Sequence, residues 1–321
     1  MTTYKEIFGK YVKNYSSDPT SDIEGQVWYN STTGVFKTNL NAGAVWASGG
    51  NLGTARRYLG GCGIQTAGLA FGGRVSTTNQ SVTEEYDGSA WTAGGNLGTA
   101  RYLLAGDGLQ TAGLAFGGYT TSNSNATEEY DGSAWTGGGN MGTARRELAG
   151  CGTQTSALGF GGFATALTNV TEEYDGSAWT AGGNLGTAVR RLAGAGTQTA
   201  GLGFGGITAA PGESNATEEY DGTSWTVGGN LGTARYFLAG AGTQTEGLAF
   251  GGITTVNVAN TEEYNGTSWT ASTAMTTARR GLAGAGTQTA GLGFGGNTTA
   301  ETAATEEYTD PTFSTKTITT S

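Results

Sequence analysis

From about residue 43 onward, apolar and polar positions follow one template that returns along the chain. One unit, read from Arg145, has four strand-like pieces. Arg145 to Thr153 is rich in Gly and Ala. Ala157-Leu158-Gly159-Phe160-Gly161-Gly162 is an apolar run closed by a glycine doublet. Val170-Thr171-Glu172-Glu173-Tyr174-Asp175 alternates, so its two glutamates point to opposite faces. Ser177-Ala178-Trp179-Thr180 is the fourth piece, and Asp175-Gly176 before it is a tight-turn signal. No apolar run approaches the length of a membrane span, and Met1 to Val12 lack the apolar core of a secretory signal.

The template is copied in tandem. Val82 to Thr92 returns as Ala126 to Thr136, Val170 to Thr180, Ala216 to Thr226 and Asn260 to Thr270, with a truncated copy at Thr305 to Tyr308. The tryptophans Trp46, Trp91, Trp135, Trp179, Trp225 and Trp269 are 45, 44, 44, 46 and 44 residues apart. A fixed period of roughly 40–50 residues is the length of a four-stranded propeller blade. First strands start at Arg56, Arg101, Arg145, Arg190, Arg235 and Arg279, which predicts six blades. The sixth unit lacks its Trp, and Ala44-Val45-Trp46-Ala47 is a fourth strand with no unit before it. Pairing residues near 44–48 with residues near 303–308 completes that blade and removes exposed sheet edges. Small residues such as Leu192-Ala193-Gly194-Ala195-Gly196 suit the innermost strand, where blades converge. Phe160, Tyr174 and Trp179 suit the wedges between blades.

Over residues 43 to 308 the repeat resembles the kelch repeat. Its marks are Phe160-Gly161-Gly162, then Glu172 to Asp175, then Trp179 four residues after the Asp, then Arg190 at the next strand's start. It departs in having almost no proline and in Thr153-Gln154-Thr155 before the doublet strand. The resemblance implies an all-β, six-bladed kelch-like β-propeller.

Residues 1–42 differ. Lys5, Lys10, Lys13 and Lys37 lie here, and between Asn41 and Tyr308 there is no lysine. Ser16-Ser17-Asp18-Pro19 is turn-like, and Glu24 to Asn30 followed by Thr33 to Lys37 reads as a short hairpin. A hairpin this small needs something to pack against. Residues 4 to 38, through Ser16 to Pro19, Glu24-Gly25-Gln26-Val27-Trp28-Tyr29-Asn30 and a Thr-Gly turn, resemble the N-terminal motif of bacteriophage tail-fibre and related virion proteins. That resemblance implies a virion protein, made in the host cytoplasm, attached to other virion proteins through Glu24, Gln26, Trp28 and Tyr29 of residues 1–42. Residues 309 to 321 read as a polar tail. A homo-oligomer is an expectation by analogy with fibres.

Composition narrows the function. The chain has 321 residues, sixty glycines, three prolines, no histidine and a net charge of −10. There is no Gly-X-Y period, so the glycine belongs to turns and close-packed strands. The acidic balance argues against a nucleic-acid partner. Cys62 and Cys151 occupy equivalent positions two units apart, beyond the ~7 Å reach of a disulfide, and read as small buried thiols. Without histidine no imidazole base or zinc cluster forms, and repetition offers no preferred carboxylate pair. Asp87-Gly88-Ser89-Ala90-Trp91 is similar to a sialidase Asp-box, but its spacing departs from it. The expectation is therefore no enzyme, no cofactor and no metal. The Glu and Arg of each unit are expected to form ion pairs between neighbouring blades. The units differ most in the links between second and third strands, whose first residues are Arg74, Tyr119, Phe163, Ile207, Ile253 and Asn297. They also differ at Tyr58, Leu103, Glu147, Arg191, Phe237 and Gly281 on the incoming strand. Variable positions on a fixed scaffold are where recognition usually resides. These positions predict a loop face that binds a host-surface glycan or protein. The alternative is a structural decoration or adaptor subunit, and a carbohydrate-active enzyme is the third reading.

Overall fold

The computed structural model describes residues 12–19, 26–41, 43–210, 212–310 and 313–318. It divides into two compact units, Met1–Val45 with Thr309–Ser321, and Trp46–Tyr308.

The smaller unit is one sheet in the order Lys13–Tyr15, Val27–Asn30, Val35–Asn41, Phe313–Thr317. The first two strands are parallel, and the hairpin pairs Asn30 with Val35. Phe313–Thr317, expected as part of a polar tail, instead runs antiparallel to Lys37–Asn41 as the edge strand. Asp18 is the polar hub of this unit. Its carboxylate accepts from Trp28 Nε1 at 3.2 Å, Asn30 Nδ2 at 2.7 Å and Lys37 Nζ at 2.7 Å. The Lys37 ammonium, followed by the Asn30 amide, holds the Asp18 carboxyl below the usual carboxylate range.

The larger unit is all-β, without helices among the described residues. It is built of repeated four-stranded antiparallel sheets, as in a propeller. In one sheet the strands are Ala149–Thr153, Ser156–Phe160, Thr171–Tyr174 and Trp179–Ala181. Tyr174 faces Trp179 in register, so the connecting loop is Asp175 to Ala178. Asp175 Oδ1 accepts from Ser177 N, Ser177 Oγ and Ala178 N, and Gly176 takes φ +90°, a conformation glycine adopts freely.

The inner strands Gly60–Ile64, Ala105–Leu109, Ala149–Thr153, Ala193–Thr197, Ala239–Gly242 and Ala283–Gly286 lie side by side, and the last also packs against the first. Their small residues are a steric necessity. A Cβ on Gly194 would stand 2.5 Å from the Gly150 carbonyl oxygen of the neighbouring strand. Further out, aromatics fill the space between sheets. Phe116 is fully buried, and its ring lies 4.8 Å from that of Trp179 in the next sheet, which also packs on Tyr174 at 5.0 Å.

Each sheet bonds to the preceding one through three side chains. Trp179 Nε1 donates to Thr127 Oγ1 at 2.9 Å. Gln154 Nε2 donates to the Gly113 and Tyr130 carbonyls at 3.1 and 2.7 Å, which gives Thr153-Gln154-Thr155 its purpose. Tyr174 Oη donates to Glu129 Oε1 at 2.5 Å. Trp91, Gln65 and Tyr86 make the same bonds to Thr305, to the Gly291 and Tyr308 carbonyls, and to Glu307. Val45–Ser48 lies beside Thr305–Thr309, and Gly49 N donates to the Thr305 carbonyl at 3.0 Å.

The expected ion pairs form, but within a sheet rather than between sheets. Arg145 meets Glu172 at 3.3 Å, with Arg145 fully buried. Arg56–Glu84, Arg101–Glu128, Arg235–Glu262 and Arg279–Glu306 repeat this. The second glutamate of each pair reaches the neighbouring sheet through tyrosine instead. One unit departs: its buried position is Val189, and Arg190 lies one residue out of register with the other starting arginines.

Burial, and then hydrogen bonding to the neighbouring glutamate, raises Tyr86, Tyr130, Tyr174, Tyr220 and Tyr264 from 10 to about 12. A folded-state pKa above the unfolded one means stability that is complete below pH 10 and lost as pH rises towards 12. Chemical denaturation across that window will show a steep fall in unfolding free energy. Tyr174→Phe will flatten the fall, and it will cost about 1–2 kcal/mol at pH 7 because Glu129 loses its donor.

Candidate functional site

The site forms where the variable incoming positions meet. Tyr58, Leu103, Glu147, Arg191 and Phe237 take φ values of 52 to 60°, and Gly281 takes 60°. Side chains rarely adopt this left-handed region, at a cost of about 1–3 kcal/mol each. The reason is a cycle of backbone hydrogen bonds. Leu103 N donates to the Tyr58 carbonyl, Glu147 N to Leu103, Arg191 N to Glu147, Phe237 N to Arg191, Gly281 N to Phe237 and Tyr58 N to Gly281, all at 2.7 to 3.0 Å. The six predicted positions are therefore brought together as one ring.

The first link residues stand one layer out. Each pairs with the residue just before a ring residue: Arg57 with Arg74, Tyr102 with Tyr119, Arg146 with Phe163, Arg190 with Ile207, Tyr236 with Ile253 and Arg280 with Asn297. Arg74, Tyr119, Phe163 and Ile207 remain partly exposed, whereas Ile253 and Asn297 are buried and hold the loops.

Sequence reasoning missed the middle layer, Arg57, Tyr102, Arg146, Arg190, Tyr236 and Arg280. The signal was present: this position holds only Arg or Tyr, immediately before the variable one. The structure interleaves these side chains. The Arg74 guanidinium lies 4.6 Å from the Tyr102 ring centre and donates to Tyr102 Oη at 2.7 Å. Arg146 lies 4.8 Å from both Tyr119 and Phe163, and Arg191 lies 4.5 Å from Phe237. Tyr58 stacks on Phe237 at 4.7 Å.

Electrostatically the mouth is basic on an acidic chain. The arginines outside the buried ion pairs, Arg57, Arg74, Arg146, Arg190, Arg191 and Arg280, all lie here. Glu147 answers Arg190 at 3.2 Å and Arg191 at 3.1 Å, and Glu301 answers Arg57 at 3.5 Å. Arg74, Arg146 and Arg280 have no carboxylate at ion-pairing distance among the described residues. Tyr102, Asn123 and Asn257 are their neutral partners. Tyr58, Arg74, Tyr102, Glu147, Arg191 and Phe237 are among the residues around an open cup of about 400 Å³. Leu59, Leu104, Leu148, Leu192, Leu238 and Leu282 lie with the ring residues around a smaller cavity of about 100 Å³. The arrangement suits an anion carrying an apolar ring face: guanidinium forks for the charge, aromatics for stacking.

The inner strands surround a second opening of about 110 Å³. Asp107 stands there at the position held elsewhere by Cys62, Cys151, Ala195, Ala241 and Ala285. Both cysteines are free and buried, and burial, then the Asp107 carboxyl, pushes their thiols up. Among the described residues no cluster of His, Cys, Asp or Glu has the arrangement of a metal site.

The attachment residues fall in the smaller unit. Trp28 is fully buried and Tyr29 packs on Phe36 at 5.2 Å, while Gln26 is half-buried. Glu24 lies outside the described residues.

No family model matches the chain, and no curated protein does. Among solved structures it is similar to YjhT, a β-propeller protein, with a TM-score of 0.66 and 12% identity over 84% of this chain and 99% of that one. The likeness shows the fold. It also corrects the expectation that the chain is no enzyme: propellers carry catalytic sites as well as binding sites. The physical ground for that expectation was the absence of histidine and of a preferred carboxylate pair. Glu147 is the one acidic residue in the ring, buried and ion-paired with Arg190 and Arg191.

Asp107 supplies a test of the inner opening. Its Oδ2 is buried without a partner, and burial holds the carboxyl well above the usual range. A raised folded pKa favours the fold below the unfolded pKa and disfavours it as pH rises. Asp107→Ala will therefore stabilise the protein at pH 7 by about 1–3 kcal/mol, and the gain will vanish below about pH 4, as followed by urea denaturation at both pH values.

Proposed function

We propose that the chain is the head of a virion appendage, a six-bladed kelch-like propeller that grips an anionic host-surface glycan at its arginine-rich mouth. The observation that carries this reading is the gathering of every arginine outside the buried ion pairs at one mouth, three of them without a carboxylate partner among the described residues. An acidic saccharide matches it, because carboxylate or sulfate engages guanidinium forks while the sugar face stacks on tyrosine and phenylalanine. On a chain of net charge −10, the basic mouth is the place where an anion meets attraction rather than repulsion. The six-blade, closed-ring reading is supported by the head-to-tail cycle through Tyr58 and Gly281 and by Val45–Ser48 beside Thr305–Thr309. The virion part rests on the resemblance of residues 4 to 38 to phage tail-fibre N-termini. In this reading residues 1–42 contact other virion proteins.

The test is binding of the full chain to acidic and neutral bacterial polysaccharides and to intact cells. Saturable, salt-sensitive binding to acidic polymers is expected, lost in Arg74→Ala/Arg146→Ala/Arg280→Ala while the fold is unchanged by circular dichroism. Equal binding to neutral polymers, or no effect of the triple substitution, overturns the anionic-glycan reading. Absence of binding to any cell surface favours a structural subunit of the particle.

A further inference from the structure

Five of the six four-stranded sheets described in the larger unit bury an arginine, and in the remaining one that place holds the smaller Val189. In the sheet of Arg145, Nη1 donates to the Val170 carbonyl at 3.0 Å and Nη2 to the Gly159 carbonyl at 3.0 Å, with Glu172 at 3.3 Å. Arg279 repeats this with the Ala304 carbonyl at 2.9 Å, the Gly293 carbonyl at 3.1 Å and Glu306 at 3.3 Å. The corresponding residues in the sheet of Ala193–Thr197 are Ala216, Gly203 and Glu218, but the arginine position is Val189. All four line a cavity of about 250 Å³, which also reaches Thr208, Ala210 and Glu213 of the longest variable link.

The acceptors remain in place. Glu218 Oε2 accepts from Gly186 N at 2.7 Å, as Glu172 Oε2 does from Gly142 N at 2.6 Å. Its Oε1 meets no cation among the described residues. Glu218 is half-buried, where Glu84, Glu128, Glu172, Glu262 and Glu306 are buried. The Ala216 carbonyl accepts from Gly205 N at 3.0 Å, the bond its counterpart Val170 takes from Gly161. In the sister sheet that same carbonyl accepts the guanidinium as well, so a second lone pair is free to do so here. Val189 thus leaves two carbonyls and a carboxylate arranged for a planar, forked cation, with a passage to the surface beside the loop.

We propose that this cavity binds a guanidinium group supplied from outside the chain, which takes the place the buried arginine holds in the other sheets. A guanidinium is favoured over an ammonium because the acceptors are set apart as a fork, which a planar group spans and a point charge does not. The source is either a small guanidino compound or an arginine side chain of another protein. Glu213 at the entrance adds a second carboxylate to draw the cation in. The site is separate from the arginine-rich mouth, whose charge repels such a ligand.

The experiment titrates the full chain with methylguanidinium, with methylammonium, and with short peptides carrying Arg or Lys, by ligand-detected NMR. Saturable binding of methylguanidinium but not methylammonium is expected. In Glu218→Gln it will weaken about tenfold or more, as loss of a charge-assisted hydrogen bond requires. In Val189→Arg it will disappear, because the chain then fills its own site, and the thermal midpoint will rise. Tighter binding of the Arg peptide than of methylguanidinium assigns the site to a protein arginine, and the reverse assigns it to a small molecule. If the wild type binds neither, or binds methylguanidinium as well with Val189→Arg as without, the proposal is wrong. The triple arginine substitution at the mouth leaves this binding intact, which separates its failure from that of the glycan reading.

Discussion

Six backbone hydrogen bonds running head to tail, from Leu103 to Tyr58 and round to Tyr58 to Gly281, set the geometry on which the larger unit depends. The cycle closes only if each donor residue turns into the left-handed region. Five of the six carry side chains, so the turn is strained, and packing must hold it. Four further bonds per sheet provide that hold, one from Trp, two from Gln and one from Tyr, to the sheet before. Because the first sheet makes the same bonds to the Thr305–Thr309 strand, the pattern has no weak terminal sheet. Strain at the mouth and regular bonding at the rim are two sides of one arrangement.

Repetition divides labour inside a single dipeptide. In Glu172-Glu173 the first carboxylate turns inward to Arg145 of its own sheet, and the second reaches Tyr220 of the next. A buried arginine–glutamate pair contributes little net stability compared with apolar packing. Its value is that it orients the strand, since the guanidinium also ties two carbonyls of the same sheet. Where the copies agree, the residues serve this scaffold. Where one copy breaks the pattern, at Asp107, Glu147 or Val189, a charged group or a cavity is left that the scaffold does not use. Such local departures are where function is expected to concentrate.

The smaller unit follows a different rule. Among its described residues the order comes from the Asp18 carboxylate gathering an indole, an amide and an ammonium. Both ends of the chain contribute strands to it. The Ser16 to Pro19 turn, which reads as a simple reversal, places Asp18 against the buried Trp28.

Reading along the chain is enough to establish the repeat, the strand pieces and the turns. Tryptophan spacing and Asp-Gly at fixed offsets are local features, readable without knowing what lies opposite. It also marked Tyr58, Glu147, Arg191 and Phe237 as variable, because internal copies can be compared within one chain. Which group partners which emerges only on folding. Alternation along a strand says that two glutamates face opposite ways, but not which face meets its own arginine and which a neighbour's tyrosine. Comparing Gly-Thr-Ala-Arg145 with Gly-Thr-Ala-Val189 shows that one copy lacks the arginine, but not that this is the position that goes inside. The strand at Phe313–Thr317 was hidden for the same reason: its polar alternation acquires meaning only beside Lys37–Asn41. The basic mouth arises because residues some 45 positions apart converge on one ring; the repeat implies that equivalent positions meet, but not which guanidinium lies against which aromatic ring.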